Sequence, residues 1–153
     1  WLSYRPMVEL AGGSVVECAA GLDQGFKATP ERLKACLTER TAAVVLNSPC
    51  NPTGVAYSPE EMKALAMVVA EHRSAVLVSD EIYEDLIYPE IDPEVRHFSL
   101  GSMPELAHRT ITVNGLSKAF AMTGWRIGYL ATPAGEGAFA ASAARHRSSS
   151  FGG

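Results

Sequence analysis

Residues 42–80 read AAVVLNSPCNPTGVAYSPEEMKALAMVVAEHRSAVLVSD. Two apolar runs bracket this stretch, Ala42 to Leu46 and Ala75 to Val78. Each ends in polar residues, Asn47 in the first case and Ser79-Asp80 in the second. Continuous runs of this length predict strands buried on both faces, as in a parallel sheet. Between them, Ser58-Pro59-Glu60-Glu61 places a hydroxyl cap, a proline at the first position and a glutamate three residues past the cap. That pattern predicts a helix running to about His72. Strand, helix and strand in this order predict a βαβ unit.

The same alternation extends outward. Thr110 to Val113 (TITV) predicts a third strand ending at Asn114-Gly115, and Trp125 to Thr132 (WRIGYLAT) a further one. After that strand come a turn and an alanine-rich helix to about Arg147. Upstream, the β-branched residues 14–18 (SVVEC) predict a short strand, and Thr29-Pro30-Glu31 opens a helix to about Leu37. Residues 89–108 hold three prolines among mixed polar residues and read as a surface excursion. There are no internal repeats. The alternation predicts an α/β fold with helices over the sheet.

Composition narrows the function classes. The chain has 153 residues, with 13 Lys+Arg against 17 Asp+Glu and a net charge of −4. Hydrophobic residues make up 47% and charged residues 20%, which excludes a disordered or fibrous chain. One domain is the default for this length. The acidic balance argues against a nucleic-acid footprint, which needs clustered Lys and Arg. No apolar run reaches the ~18 residues of a membrane span. Cys18, Cys36 and Cys50 lack metal-ligand spacing and read as free thiols of a reducing, cytoplasmic compartment. No leader pattern stands at the start. The chain opens at Trp1 without a methionine and stops in a Ser-Ser-Ser-Phe-Gly-Gly tail, so it reads as a piece of a longer protein.

In open α/β sheets, ligands bind beyond the carboxyl ends of the strands. Here those ends deliver Asn47 and the Asn51 loop, then Asp80, then Ser117-Lys118. No G-x-G-x-x-G follows a strand and no Walker motif is present, so neither a dinucleotide nor a nucleoside triphosphate site is indicated.

Three segments carry a family resemblance: Asn47-Ser48-Pro49-Cys50-Asn51-Pro52-Thr53-Gly54, Ser79-Asp80-Glu81-Ile82-Tyr83, and the run from Gly115 through Leu116-Ser117-Lys118 to Gly124-Trp125-Arg126-Ile127-Gly128. In this order and spacing the chain resembles the class I/II aminotransferases, fold-type I pyridoxal-phosphate enzymes, and within them the bacterial aspartate aminotransferase-like subgroup. The resemblance covers the chain to about Pro133. It implies a three-layer αβα domain with a mostly parallel mixed sheet. Residues 1–153 would then be part of the large, cofactor-binding domain. An N-terminal segment, including the first phosphate loop, and a C-terminal small domain with the arginine for the substrate carboxylate would lie outside the chain.

The resemblance also implies roles. Lys118 would form the Schiff base with the cofactor, because an amine can condense with an aldehyde and then exchange with the substrate amine. Freed, the same amine can move a proton at the α-carbon. Asp80 would pair with the pyridine nitrogen and keep it protonated. Tyr83 and Asn51 would hydrogen-bond the ring's phenolic oxygen, and the Asn51–Pro52 bond would be cis. Arg126, eight residues after Lys118, would grip phosphate through two charge-assisted bonds. Ser117 is an additional cofactor-site candidate. Some family members carry a phosphate-binding serine three residues before the lysine, where this chain has Gly115. Trp1 falls where an aromatic stacks on the cofactor ring, and Tyr4 where a residue supports the pyridine-binding acid. Outside such a pattern each of these residues would read as surface, turn or core chemistry.

His72, His97, His108 and His146 lie on polar stretches without ligand spacing, and no metal is expected. The implied reaction moves an amino group between an amino acid and a 2-oxo acid, in a homodimer whose site the second subunit completes. The same residues would serve a lyase, decarboxylase or synthase on this scaffold, an aminotransferase-like sensing domain of a regulator, or an inactive truncated copy.

Overall fold

The computed structural model describes residues 1–133. Four strands form one sheet: β1 Ala43–Asn47, β2 Val76–Asp80, β3 Thr110–Gly115 and β4 Gly128–Ala131. They lie in the order β1-β2-β3-β4, the first three parallel and β4 antiparallel to β3. Helices α1 Tyr4–Leu10, α2 Pro30–Cys36, α3 Pro59–Glu71 and the short α4 Leu116–Ala119 accompany them. This is an α/β fold, as the strand and helix patterns predict, with the mixed, mostly parallel sheet that the resemblance implies. The alanine-rich helix expected toward Arg147 lies outside the described residues.

Local chemistry accounts for α3. Ser58 Oγ accepts from the Glu61 amide at 3.2 Å, and Glu61 Oε2 accepts from the Ser58 amide at 2.7 Å, closing the capping box. Met62, Leu65, Ala66 and Val69 are all buried, a stripe at i, i+3, i+4 and i+7 that faces the sheet side of the core. They pack with Leu33 of α2, Val44 of β1 and Leu77 of β2. The carboxyl end of α3 carries no basic residue of its own. Arg109, just before β3, fills that role from afar. Its guanidinium donates to the carbonyls of His72, Ala75 (2.9 Å), Val69 (3.1 Å) and Ala70 (2.8 Å).

The fold departs from the sequence expectations at several places. Residues 14–18 form no strand; Val16 is exposed, and β-branched side chains alone do not make a strand where no neighbour pairs with it. Residues 4–10, to which the sequence patterns assign no element, form α1. The segment 89–108 is a surface excursion only in its first part. Leu100, Met103 and Leu106 are buried in the core at a spacing of three, carried by 3₁₀ turns over Leu100–Ser102 and Ala107–Arg109. The strand expected from Trp125 starts only at Gly128, because Thr123–Trp125 form a 3₁₀ turn and Arg126 takes a left-handed conformation, φ 52°. Among the described residues the sheet is covered on one face. β1 buries Val44 and leaves Val45 40% exposed, and β2 buries Leu77 and Ser79 more fully than Val76 and Val78.

Candidate active site

The parallel register sets the site. Asn47 stands beside Asp80, and Asp80 beside Val113, so three chain segments leave the sheet at the same edge. Successive strand residues point to opposite faces. Ser79 is therefore directed into the core, whereas Asp80 is only partly buried. The Asp80 carboxylate is held on both oxygens. Oδ1 accepts from the Ile82 amide at 3.2 Å, and Oδ2 accepts from the Tyr4 hydroxyl at 2.5 Å. The Asp80 carbonyl accepts from Asn47 Nδ2 at 3.0 Å, and Asn47 Oδ1 in turn accepts from the Asn51 amide at 3.3 Å. Burial, and then the bond to Asp80, push the Tyr4 phenol above its ordinary value, so it remains a donor.

The loop after β1 brings in Asn51. The Ser48–Pro49 and Asn51–Pro52 bonds are both cis, the second as the resemblance implies. Gly54 turns the loop back at φ 71°, and its amide donates to the Cys50 carbonyl. Asn51 Nδ2 donates to the Tyr83 hydroxyl at 3.3 Å. Lys118 Nζ lies 5.6 Å from the centre of the Tyr83 ring. Asp80, Tyr83, Asn51 and Lys118 thus come together from three separate strand ends.

The remaining sequence candidates are placed less uniformly. Trp1 is edge-on to Tyr4 with ring centres 5.3 Å apart, and its amino group donates to the Asn51 carbonyl at 3.1 Å. Ser117 sits half-buried on α4 beside Lys118. Arg126 is exposed and folds onto its own turn, donating to the Thr123 carbonyl at 3.1 Å rather than to the Asp80 network. Gly115 has a steric reason to lack a side chain. A Cβ there would meet the Ile127 carbonyl oxygen at 2.8 Å and Gly128 Cα at 3.1 Å. A serine at this position would therefore push β4 away from β3.

One polar group escapes sequence spacing altogether. His97 Nε2 lies 3.1 Å from Glu81 Oε2 and 3.2 Å from Glu84 Oε2. No periodic signal connects residue 97 to residue 81; only the path of the intervening loop does. A shallow cleft of about 580 Å³, lined by Ser58, Pro59, Glu60, Pro93, Glu94 and Arg96, contains none of the Asp80 network, so volume alone does not mark the site.

The donor set fits pyridoxal phosphate: a carboxylate anchored on both oxygens, a neighbouring amide–phenol pair and an amine beside that phenol. A sequence model of the family described as aminotransferase class I and II matches residues 1–151. The chain is 48% identical over 135 residues to the aspartate/prephenate aminotransferase of Cereibacter sphaeroides, covering 87% of this chain and 32% of that protein. It is 52% identical over 134 residues to the aspartate/prephenate aminotransferase of Thermus thermophilus, with 87% and 32% covered. The crystal structure of the aspartate aminotransferase from Rhizobium meliloti superposes with a TM-score of 0.80 at 42% identity, over 87% of this chain and 32% of that one. The chain spans about a third of the length of these curated relatives. Sequence, strand order and the clustering at the strand ends agree, and the chain belongs to the class I and II aminotransferase family.

Proposed function

We propose that residues 1–153 are part of the large, cofactor-binding domain of a pyridoxal-phosphate-dependent aminotransferase that moves an amino group between an amino acid and a 2-oxo acid. The observation that carries this reading is the meeting of Lys118, Tyr83, Asn51 and the doubly anchored Asp80 at one edge of the sheet. When bound, the cofactor supplies an aldehyde for amino groups and a ring that takes up developing negative charge. Lys118 Nζ is the group to hold it covalently and, once released, to carry a proton at the substrate α-carbon. In this reading Asp80 faces a protonated ring nitrogen, with Tyr4 keeping its carboxylate oriented, and Asn51 and Tyr83 orient the ring oxygen. Arg126, Ser117 and Trp1 are further cofactor contacts in this reading; Arg126 must turn away from Thr123 to reach a phosphate.

Aspartate is the first donor to test, because relatives near half identical are named for it. The full-length protein is proposed to be a cytoplasmic homodimer, its small domain and second subunit completing the site. No helix among the described residues is long and apolar enough to cross a membrane. Borohydride reduction of the full-length protein with bound cofactor, followed by peptide mapping, is expected to place the pyridoxyl label on Lys118. A label on Lys63, or none with saturating cofactor, overturns the assignment.

A further inference from the structure

We propose that Glu81, Glu84 and His97 form a clamp that positions Asp80 and Tyr83, making His97 and Glu81 positioning residues for the cofactor site. The proposal rests on the reading of that site given above, and it starts from strand alternation. Ser79 and Glu81 share one face at the end of β2, and Asp80 between them faces the other way. The Glu81 side chain is 5% exposed, so its carboxylate must be satisfied within the protein. It is: Oε1 accepts from Ser79 Oγ at 2.8 Å and Ser99 Oγ at 3.0 Å, and Oε2 lies 3.1 Å from His97 Nε2. The Glu81 amide donates to the Val113 carbonyl at 2.9 Å, tying the same residue to β3.

His97 also reaches Glu84, 3.2 Å away, while the Glu84 amide donates to the Glu81 carbonyl at 2.9 Å. The four-residue turn from Glu81 to Glu84 is thus closed by a backbone bond and bridged by one imidazole. Tyr83 sits within that turn, and Asp80 immediately precedes it. The charged groups facing the imidazole are Glu81, Glu84 and Asp85; from α3, Lys63 rests over the neighbouring Phe98 ring, 4.9 Å from its centre. The three carboxylates favour the imidazolium, with the hydrogen bond to Glu81 the largest cause of a His97 pKa raised above the usual value. Residues 97–99 are thereby fastened to the strand end that presents Asp80, and no residue of this clamp needs to touch the cofactor.

The test uses the full-length protein with His97→Ala, His97→Gln and Glu84→Gln variants. Amide exchange, expressed relative to each amide's intrinsic rate at the same pH, is measured first without cofactor, at pH 6 and pH 8.5. Exchange across 81–86 and 95–99 is expected to rise in the wild type at the higher pH. It is expected to be high at both values in His97→Ala and pH-independent in His97→Gln, whose amide donates without a charge. With cofactor bound, kcat in His97→Ala is expected to fall on the order of tenfold or more with KM for the donor within about twofold. The pH at which the cofactor's absorption band titrates is expected to shift, and His97→Gln to restore part of both. Unchanged exchange over 81–86 in His97→Ala overturns the clamp, as does a loss of stability with an unaltered titration and kcat. Glu84→Gln gives the same decision if His97→Ala fails to fold. Because exchange is read without cofactor, a clamp that holds while the Lys118 label fails would overturn only the cofactor assignment.

Discussion

The hydroxyl of Tyr4 donates a 2.5 Å hydrogen bond to Oδ2 of Asp80, joining the first turn of α1 to the end of β2 across 76 residues of chain. It supplies the acid with a neutral, half-buried donor that stays protonated, because burial and Asp80 itself both oppose its ionisation. A hydrogen bond to a charged group is worth roughly 1.5–3 kcal/mol. Tyr4→Phe in the full-length protein is therefore expected to lower kcat by about tenfold or more, with the fold retained. Steady-state kinetics check it; an unchanged kcat would reduce Tyr4 to packing.

Asp80→Ala is expected to cost transamination far more than it costs cofactor binding. In the proposed role the charge on Asp80 would matter most when negative charge develops at the α-carbon, so its loss would belong in the transition state. If Asp80 pairs with a protonated ring nitrogen as proposed, removing it is expected to slow kcat on the order of 100-fold or more. Cofactor affinity and kcat are measured separately. A kcat within about threefold of wild type refutes this role.

Arg109→Met is expected to destabilise the domain by about 3 kcal/mol. Three carbonyls at the carboxyl end of α3 and that of Ala75, just before β2, lose their donor, and charge-assisted bonds are worth roughly 1.5–3 kcal/mol each without being additive. Arg109→Lys is expected to recover only part, since one ammonium cannot span the set. Urea unfolding monitored by circular dichroism gives the difference.

Stability should depend on pH through the clamp at the end of β2. His97 has its pKa raised by the bond to Glu81 against a smaller burial effect. Its contribution is full below the unfolded value near 6.5 and is lost as pH rises through the folded value. For Glu81, burial pushes upward but is outweighed by His97, Ser79 and Ser99, leaving the carboxyl below its usual range. Its contribution is present above about pH 4.5 and is lost as pH falls through the folded value. The clamp is thus expected to stabilise most between about pH 4.5 and 6.5. Melting temperatures of wild type and His97→Gln across pH 4–9 check the sign: their difference should shrink on the alkaline side.

Expressed alone, the 153-residue chain is expected to show no measurable transaminase activity. It spans about a third of the length of its relatives, and among the described residues one sheet face stands open, with Val45 40% exposed. Open apolar strand surface favours association. Size-exclusion chromatography, spectra with added cofactor, and assays with aspartate, alanine and aromatic donors test this. Turnover by a monomeric fragment would show that the site needs nothing beyond these residues.

What the amino-acid order determined by itself is local. The capping box at Ser58 and the Thr29-Pro30 start signal sit where α3 and α2 begin, because caps act within one helical turn. The apolar runs at β1 and β2 and the Thr110–Val113 run at β3, each followed by polar residues, marked the strand ends from which Asn51, Asp80 and Lys118 are delivered. Tertiary structure decided the rest, because the partners are distant in sequence. Leu100, Met103 and Leu106 enter the core although prolines and polar residues surround them; burial depends on what lies opposite, and no local pattern encodes that. β-branched residues 14–18 stay out of the sheet because a strand exists only where a neighbour pairs with it. Arg109 became the cap of a helix that ends well before it. His97, a solvated histidine by its sequence neighbours, became the bridge between Glu81 and Glu84 because the chain returns to the end of β2 only after folding.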